Sequence, residues 1–429
     1  MDIFELTKEN RAKLKEVLAK RSTNSFGEIE GRVAAIIEDV KKRGDEALFE
    51  YSEKFDHYPL NAGNIRVTQA EIDAAVAKVE PRFIEVLKKA TANIREFHEK
   101  QKRISWIDTK ADGTILGQKF SPLAIVGVYV PGGKAAYPSS LLMSVVTAKV
   151  AGVERIVMMT PPGQTGEISA ETLAAAQIAG VDEIYRIGGA QAIAALAYGT
   201  KSIPKVDKIC GPGNIYVALA KKAVFGQVSI DSVAGPSEIL VLADETANAR
   251  YVAADLLSQA EHDEMASAIL VTTSRNLAED VRTEIEGFLK QLSRREIIEK
   301  SLEQFGFLFV ADDMDAAIEA VNDIASEHLE IITKDPYGDM TKVKNAGAIF
   351  LGPYSSEPLG DYFAGPNHIL PTNGTAKFFS PLNVDDFVKK TSIISYSKEA
   401  LERAHEDIEY FAQKEGLTAH ANSVAVRFE

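Results

Sequence analysis

The chain reads as an α/β protein with two Rossmann-like but incomplete parallel-sheet lobes, a cleft between them, and small helical appendages at both ends. Three observations lead there. From about residue 115 to 226, strand-length apolar runs alternate with helical stretches, the rhythm of βαβ units. The same rhythm resumes after Ile230. The 429 residues also exceed what one hydrophobic core usually holds, so two lobes are expected.

Composition narrows the class of partner. Hydrophobic residues make up 45% and charged residues 26%, as in an ordinary globular protein. A formal charge of -14 without long Lys/Arg runs argues against nucleic acid or an anionic membrane and for a small-molecule substrate. The single cysteine, Cys210, forms no internal disulfide and rules out a thiolate-rich metal site, which fits a reducing cytoplasm. The first twenty residues lack signal-peptide features and no apolar run reaches membrane-spanning length, so a cytoplasmic location is expected.

In chain order, residues 1–25 suggest a short helix followed by a polar RSTNS link. From Glu28 to about Arg103 the apolar positions Val33, Ala34, Ile37 and Val40, then Phe83, Leu87, Ala90 and Ile94, recur at helical spacing and read as scaffold. The strand-rich unit that follows carries three glycine-bearing turns between strand and helix: PGGK at 131–134, IGGAQ at 187–191 and GPGN at 211–214. None is GxGxxG, but glycine lets backbone N–H groups approach a phosphate at a helix N-terminus, and three such turns on one sheet edge point to a nucleotide.

The stretch from Ile230 to Asp263 is predicted to hold a Gly-Pro turn, a strand from Glu238 to Leu242, and a helix with Val252, Ala253, Leu256, Leu257 and Ala260 on its apolar face. Gln259 and His262, three apart, project from one face of its last turn, where an amide oxygen and an imidazole can share a metal ion. A solvated final turn with His262 favouring the helix dipole is the competing reading. A further helix is expected from Asp315 into Glu327-His328, with Ala317, Val321, Ile324 and His328 on one stripe, which leaves His328 open as a buried core histidine. More than forty residues rich in Gly, Pro, Ser and Asn then carry Asp361 and His368, a length that favours a functional loop. After Ser397 an amphipathic helix to about Lys414 and a short strand at Val424 and Val426 are expected, with Glu415 and His420 beside them. The resulting division is a 1–25 segment, a first lobe of 26–125 with 237–380, a second lobe of 126–236, and a tail of 381–429.

The polar residues left without an ordinary explanation are Gln259, His262, Glu327, His328, Asp361, Glu415 and His420. Nitrogen and oxygen ligands without sulfur suit zinc or manganese, and the histidines favour zinc. Spacing alone stops at a metal-dependent α/β enzyme that uses a nucleotide.

IDSVAGPSEILVLAD and DLLSQAEHD, with GVYVPGGKAAYPSS upstream and SEHLEI, GDYFAGPNHILPT, GTAKFFSPL and EGLTAHANSVAVR downstream, closely resemble the histidinol dehydrogenase family from about residue 25 to the C-terminus. The resemblance implies zinc held by Gln259, His262, Asp361 and His420, and proton acceptors at Glu327 and His328. It also implies NAD contacts at Tyr129, Gln191 and Asn214, and substrate contacts at Ser237 and Glu415 alongside the zinc ligands and His328. It implies a homodimer whose C-terminal tail, with Glu415 and His420, completes the partner's site. It assigns no role to His368 or Cys210.

The family reaction so implied oxidises L-histidinol to L-histidine through a bound aldehyde, with two NAD and one water. His328 suits removal of the hydroxyl proton, and Glu327 suits activation of the water that hydrates the aldehyde. A paralogue acting on another alcohol, such as a sulfonated diol, is the alternative, with Glu415 favouring a substrate that carries an ammonium. A zinc hydrolase leaves the glycine turns unexplained, and a non-catalytic two-lobed binding protein leaves Glu327-His328 unexplained.

Overall fold

A computed structural model describes residues 1–21, 27–132 and 137–429. The expected link after Arg21 and the Gly133-Lys134 half of the PGGK turn fall outside them. In chain order the strands are β1 (Ile3–Glu5), β2 (Trp106–Thr109), β3 (Ile115–Pro122), β4 (Ile125–Tyr129), β5 (Arg155–Thr160), β6 (Glu183–Arg186), β7 (Lys208–Cys210), β8 (Ser229–Ile230), β9 (Glu238–Ala243), β10 (Ser267–Thr272), β11 (Gly306–Val310), β12 (His328–Ile332), β13 (Ala348–Leu351) and β14 (Val388–Ser395). They form a parallel six-stranded sheet in the order β1-β11-β10-β9-β12-β13 and a parallel five-stranded sheet in the order β6-β5-β4-β7-β8. A third, antiparallel sheet, β14-β3-β2, ties the tail to the body.

The central strands are apolar over most of their length because helices cover both of their faces. In β9, Ile239, Val241 and Ala243 point into one core with the helix Ala249–Ala260, while Leu240 and Leu242 point into another with the helix Met314–Ile324 and Leu14. The five-stranded sheet is clothed in the same way. Val33, Ile37, Val40 and Leu48 pack on one face and Leu87, Ala90 and Ile94 on the other.

Several elements depart from the sequence expectations. The helices of residues 27–99, expected with the first lobe, bury their apolar faces against the five-stranded sheet instead. The N-terminal segment is not a free appendage: β1 pairs with β11, and Leu14 is buried. The helix expected to run into Glu327-His328 ends at Ile324, where Ala325 takes a left-handed conformation (φ 53°), and His328 opens β12. The 317/321/324/328 spacing suits a helix, but it runs across the helix end at Ala325 into HLEII, whose β-branched pair favours a strand. The expected strand at Val424 and Val426 is a helix, Thr418–Ala425, whose alternation is too short to outweigh a run of small residues. The long Gly/Pro-rich stretch contains β13, a short helix Glu357–Leu359 and a wide π-type turn Gly360–Ala364.

Candidate active site

Parallel strands share a beginning, and here that shared edge is where the polar residues collect. Ser267 pairs with Glu238, and His328 pairs with Ile239 on one side and Ala348 on the other, so these residues all lie at the amino edge of the six-stranded sheet. The helix Ala249–Ala260 starts beyond the carboxyl end of β9 and returns antiparallel, bringing Gln259 and His262 back to that same edge. The π-type turn swings Asp361 in from a third direction, a distortion frequent at functional sites.

Side chains that are far apart in sequence converge. Nitrogen and oxygen atoms of His262, Glu357 and Asp361 lie within 4.8 Å of one another, an arrangement able to hold a metal ion. His328 Nε2 lies 3.7 Å from Asp361 Oδ1 and 4.0 Å from Glu357 Oε1. The Oε1 of Gln259 and the Nε2 of His328 are buried without a hydrogen-bond partner among the described residues, a costly condition for a polar atom unless a ligand meets it. His328 Nδ1 is 3.0 Å from the carbonyl oxygen of Glu238; a carbonyl only accepts, so Nδ1 carries a proton, and Nε2 is the free base whenever the ring is neutral. Glu327 Oε2 accepts from the backbone N–H of Glu238 at 2.9 Å.

Burial dominates the electrostatics. It raises the Glu327 carboxyl to about 8, helped by Glu238 and opposed by the neighbouring His328. Burial disfavours charge on His328 as well, but Glu327, Asp361 and Glu357 outweigh it and raise the imidazole pKa. Glu357 is pushed up to about 8 by burial and by the charge of Asp361, whereas Asp361, despite its own burial, is drawn down to about 2 by the neighbouring His328 and His368. His262 keeps part of its ring open to solvent, and desolvation of the remainder lowers its pKa. His368 is placed against Asp361: its Nδ1 is 3.0 Å from the Asp361 carbonyl oxygen, and its Nε2 is 3.0 Å from Ser140 Oγ.

A cavity of about 900 Å³ opens beside this cluster, lined by His328, Asp361, His368 and Phe350 and, from the end of the helix Pro81–Glu99 and just beyond it, by Phe97, His98 and residues 100–103. A second cavity, of about 940 Å³, lies at the carboxyl edge of the five-stranded sheet and is lined by Tyr129, Gln191 and Asn214 together, with Gly132 and Gly189 from two of the glycine turns. Tyr129 accepts from the Gly189 N–H at 3.1 Å, and its phenol is pushed up to about 12 by burial. Asn214 caps the helix Ile215–Val224 through bonds from the N–H groups of Tyr216 and Val217 at 3.0 and 3.2 Å. Gly211, at φ 109°, sits so close to the Tyr129 carbonyl that any side chain there would collide with it.

The histidinol dehydrogenase family pattern matches residues 19–428. The chain belongs to the histidinol dehydrogenase family. It is 59% identical to the histidinol dehydrogenase of Halalkalibacterium halodurans over 92% of this chain and 93% of that one. It is 56% identical to that of Listeria monocytogenes serovar 1/2a over 97% of each. The crystal structure of histidinol dehydrogenase from Elizabethkingia anophelis superposes with a TM-score of 0.94 at 38% identity, covering 100% of this chain and 98% of that one. Membership in this family makes the protein an oxidoreductase of α/β fold, and no described helix is long and apolar enough to cross a membrane.

Two residues that the family resemblance links to the site stand apart from it within one chain. Glu415 and His420 are exposed and line a separate depression on the tail, with Ile408, Phe411 and Val424. One residue of the cluster went unnoticed in the sequence: Glu357 lies four residues before Asp361 in SSEPLGD, a spacing that places both on one face of a helical turn. Its near-complete burial and the bond it accepts from Ser258 Oγ at 3.1 Å mark it as part of the site.

Proposed function

We propose that the protein oxidises L-histidinol to L-histidine by four electrons, through a bound aldehyde, with two NAD and one water and with one zinc ion per site. The observation that carries this reading is the convergence of His262, Glu357 and Asp361, with His328 3.7 Å from Asp361, beside an open cavity. The orphaned Gln259 oxygen, the His262 imidazole and the Asp361 carboxylate fit a borderline cation in an N/O shell, with His420 of the partner subunit as the fourth ligand. When bound, zinc supplies an anchor for the substrate imidazole and NAD supplies the hydride acceptor.

The chain's own residues account for the rest. His328, its tautomer set by the Glu238 carbonyl, takes the hydroxyl proton at Nε2 as the alcohol becomes an aldehyde. Glu327, whose raised pKa makes its ionised form a stronger base, draws a proton from the water that hydrates the aldehyde. His328 acts again on the hydrated aldehyde. Ser237 and Glu415 hold the substrate, and the Glu415 carboxylate suits its ammonium. Tyr129, Gln191 and Asn214 hold NAD in the second cavity, where glycine turns and the N-terminus of the helix Ile215–Val224 suit a diphosphate.

The reading also includes a cytoplasmic homodimer in which each tail completes the other subunit's site. Supporting it, Tyr410, Phe411, Leu417 and Val426 are exposed on the tail, a larger apolar surface than so small an element ordinarily shows to water. The deciding measurement is the ratio of NADH formed to histidinol consumed. Two supports the reading, one makes the protein a simple alcohol dehydrogenase, and none rejects both.

A further inference from the structure

The amino edge of the six-stranded sheet is fastened by one side chain from far upstream. Arg21 lies two residues beyond the helix Lys8–Ala19, and its side chain is 0% exposed. All five of its N–H groups find acceptors. Nε donates to the Met265 carbonyl at 2.7 Å, and Nη1 donates to Glu238 Oε1 at 2.9 Å and Ser267 Oγ at 3.0 Å. Nη2 donates to the carbonyls of Pro236 and Ser237, both at 2.9 Å. The Phe305 ring stands 5.5 Å from the guanidinium.

A buried ion pair is weak evidence for stability, since apolar packing of similar volume often serves as well. What the fork supplies is position. Three of its acceptors belong to residues 236–238, and Glu238 is bonded to both members of the proton-handling pair. The Glu238 N–H donates to Glu327 Oε2 at 2.9 Å, the Glu327 N–H donates to Glu238 Oε2 at 3.3 Å, and the Glu238 carbonyl meets His328 Nδ1 at 3.0 Å. Arg21 is therefore bonded directly to the peptide of Ser237 and stands one residue away from Glu327 and His328. Neither the sequence pattern nor the family resemblance drew attention to it.

We infer that Arg21 is a positioning residue for this site: its five-donor fork fixes the 236–238 backbone and the Glu238 carboxylate, and through them the Glu327 carboxylate and the His328 tautomer. The inference rests on Glu327 and His328 being the acid-base pair. Lysine keeps the charge but cannot bond to five acceptors in a plane, so Arg21→Lys separates charge from geometry. It is expected to lower kcat about 100-fold in both half-reactions, the cost of a misplacement near 1 Å, with KM for NAD and zinc content unchanged. Because Arg21→Met alone strands a buried carboxylate and can unfold the protein, the second variant is Arg21→Met/Glu238→Gln, which removes both charges. Its melting temperature should recover part of what Arg21→Met alone loses, the other acceptors of the fork still lacking their donor, while kcat stays low.

Wild-type kcat in Arg21→Lys, or kcat recovering together with stability in the double variant, overturns the inference and leaves Arg21 a structural ion pair. Measured beside them, Glu327→Gln and His328→Asn keep the two questions apart. If they turn over normally the acid-base reading fails, and if they are slow while Arg21→Lys is not, only the positioning role fails.

Discussion

Two variants, each inactive by itself, are expected to make an active enzyme together. Asp361 sits in the body of the chain, 3.7 Å from His328, whereas His420 lies on the tail in a separate depression. If the tail serves the partner subunit, every site draws Asp361 from one chain and His420 from the other. Asp361→Ala and His420→Ala, unfolded and refolded in equal amounts, pair at random, and about half of the dimers are mixed. Each mixed dimer has one site with both lesions and one with neither, so roughly a quarter of wild-type activity should return. The assay is NADH formation from histidinol, with each variant refolded alone as the blank and refolded wild type as the yield standard. If the tail acts within its own chain, every site in every dimer carries one lesion. A mixture no more active than its components, beside a wild type that refolds fully, refutes exchange of tails.

Zinc removal should abolish turnover, and His262→Ala should lower metal content because an incomplete ligand set holds the ion poorly; full zinc with normal turnover in that variant would show the assignment to be wrong. His328→Asn is expected to slow alcohol oxidation by about 100- to 10,000-fold, while Glu327→Gln chiefly impairs conversion of supplied aldehyde to acid, with single-turnover rates of the two half-reactions as the measurement. Equal losses in both half-reactions from Glu327→Gln would reject that division. Cys210 is fully buried, and burial pushes its thiol pKa up, so the native protein should resist alkylation with no loss of activity until it is unfolded.

Periodicity carried the broad architecture because the chain obeys it where helices cover both faces of a sheet. EILVLA and SAILVT are legible as buried strands for that reason, and the intervening helix is legible from its apolar stripe. Legibility failed where two periods overlapped. The stripe ending at His328 fitted a helix, and only the left-handed turn at Ala325, invisible in a residue type that rarely adopts it, separates the helix from β12. At the site, Gln259 and His262 stood out because three-residue spacing on a helix is local information. Convergence of Asp361 with His262 is set by tertiary packing, so residue spacing could not supply it and the family resemblance had to. Glu357 and Arg21 escaped for a related reason. An acid before proline and an arginine after a helix look like surface residues until their burial is known.

The short pairing of Ile3–Glu5 against Leu308–Val310 matters beyond the three residues involved. A sheet ends somewhere, and an open end is a template onto which another chain can add. Behind β1 lies GFLFV, five residues with no charge and no proline, the composition that stacks most readily between molecules. The first few residues therefore act as a cover strip. A chain lacking residues 1–7 is expected to lose solubility out of proportion to its loss of thermal stability, an effect visible as concentration-dependent light scattering by an otherwise folded protein.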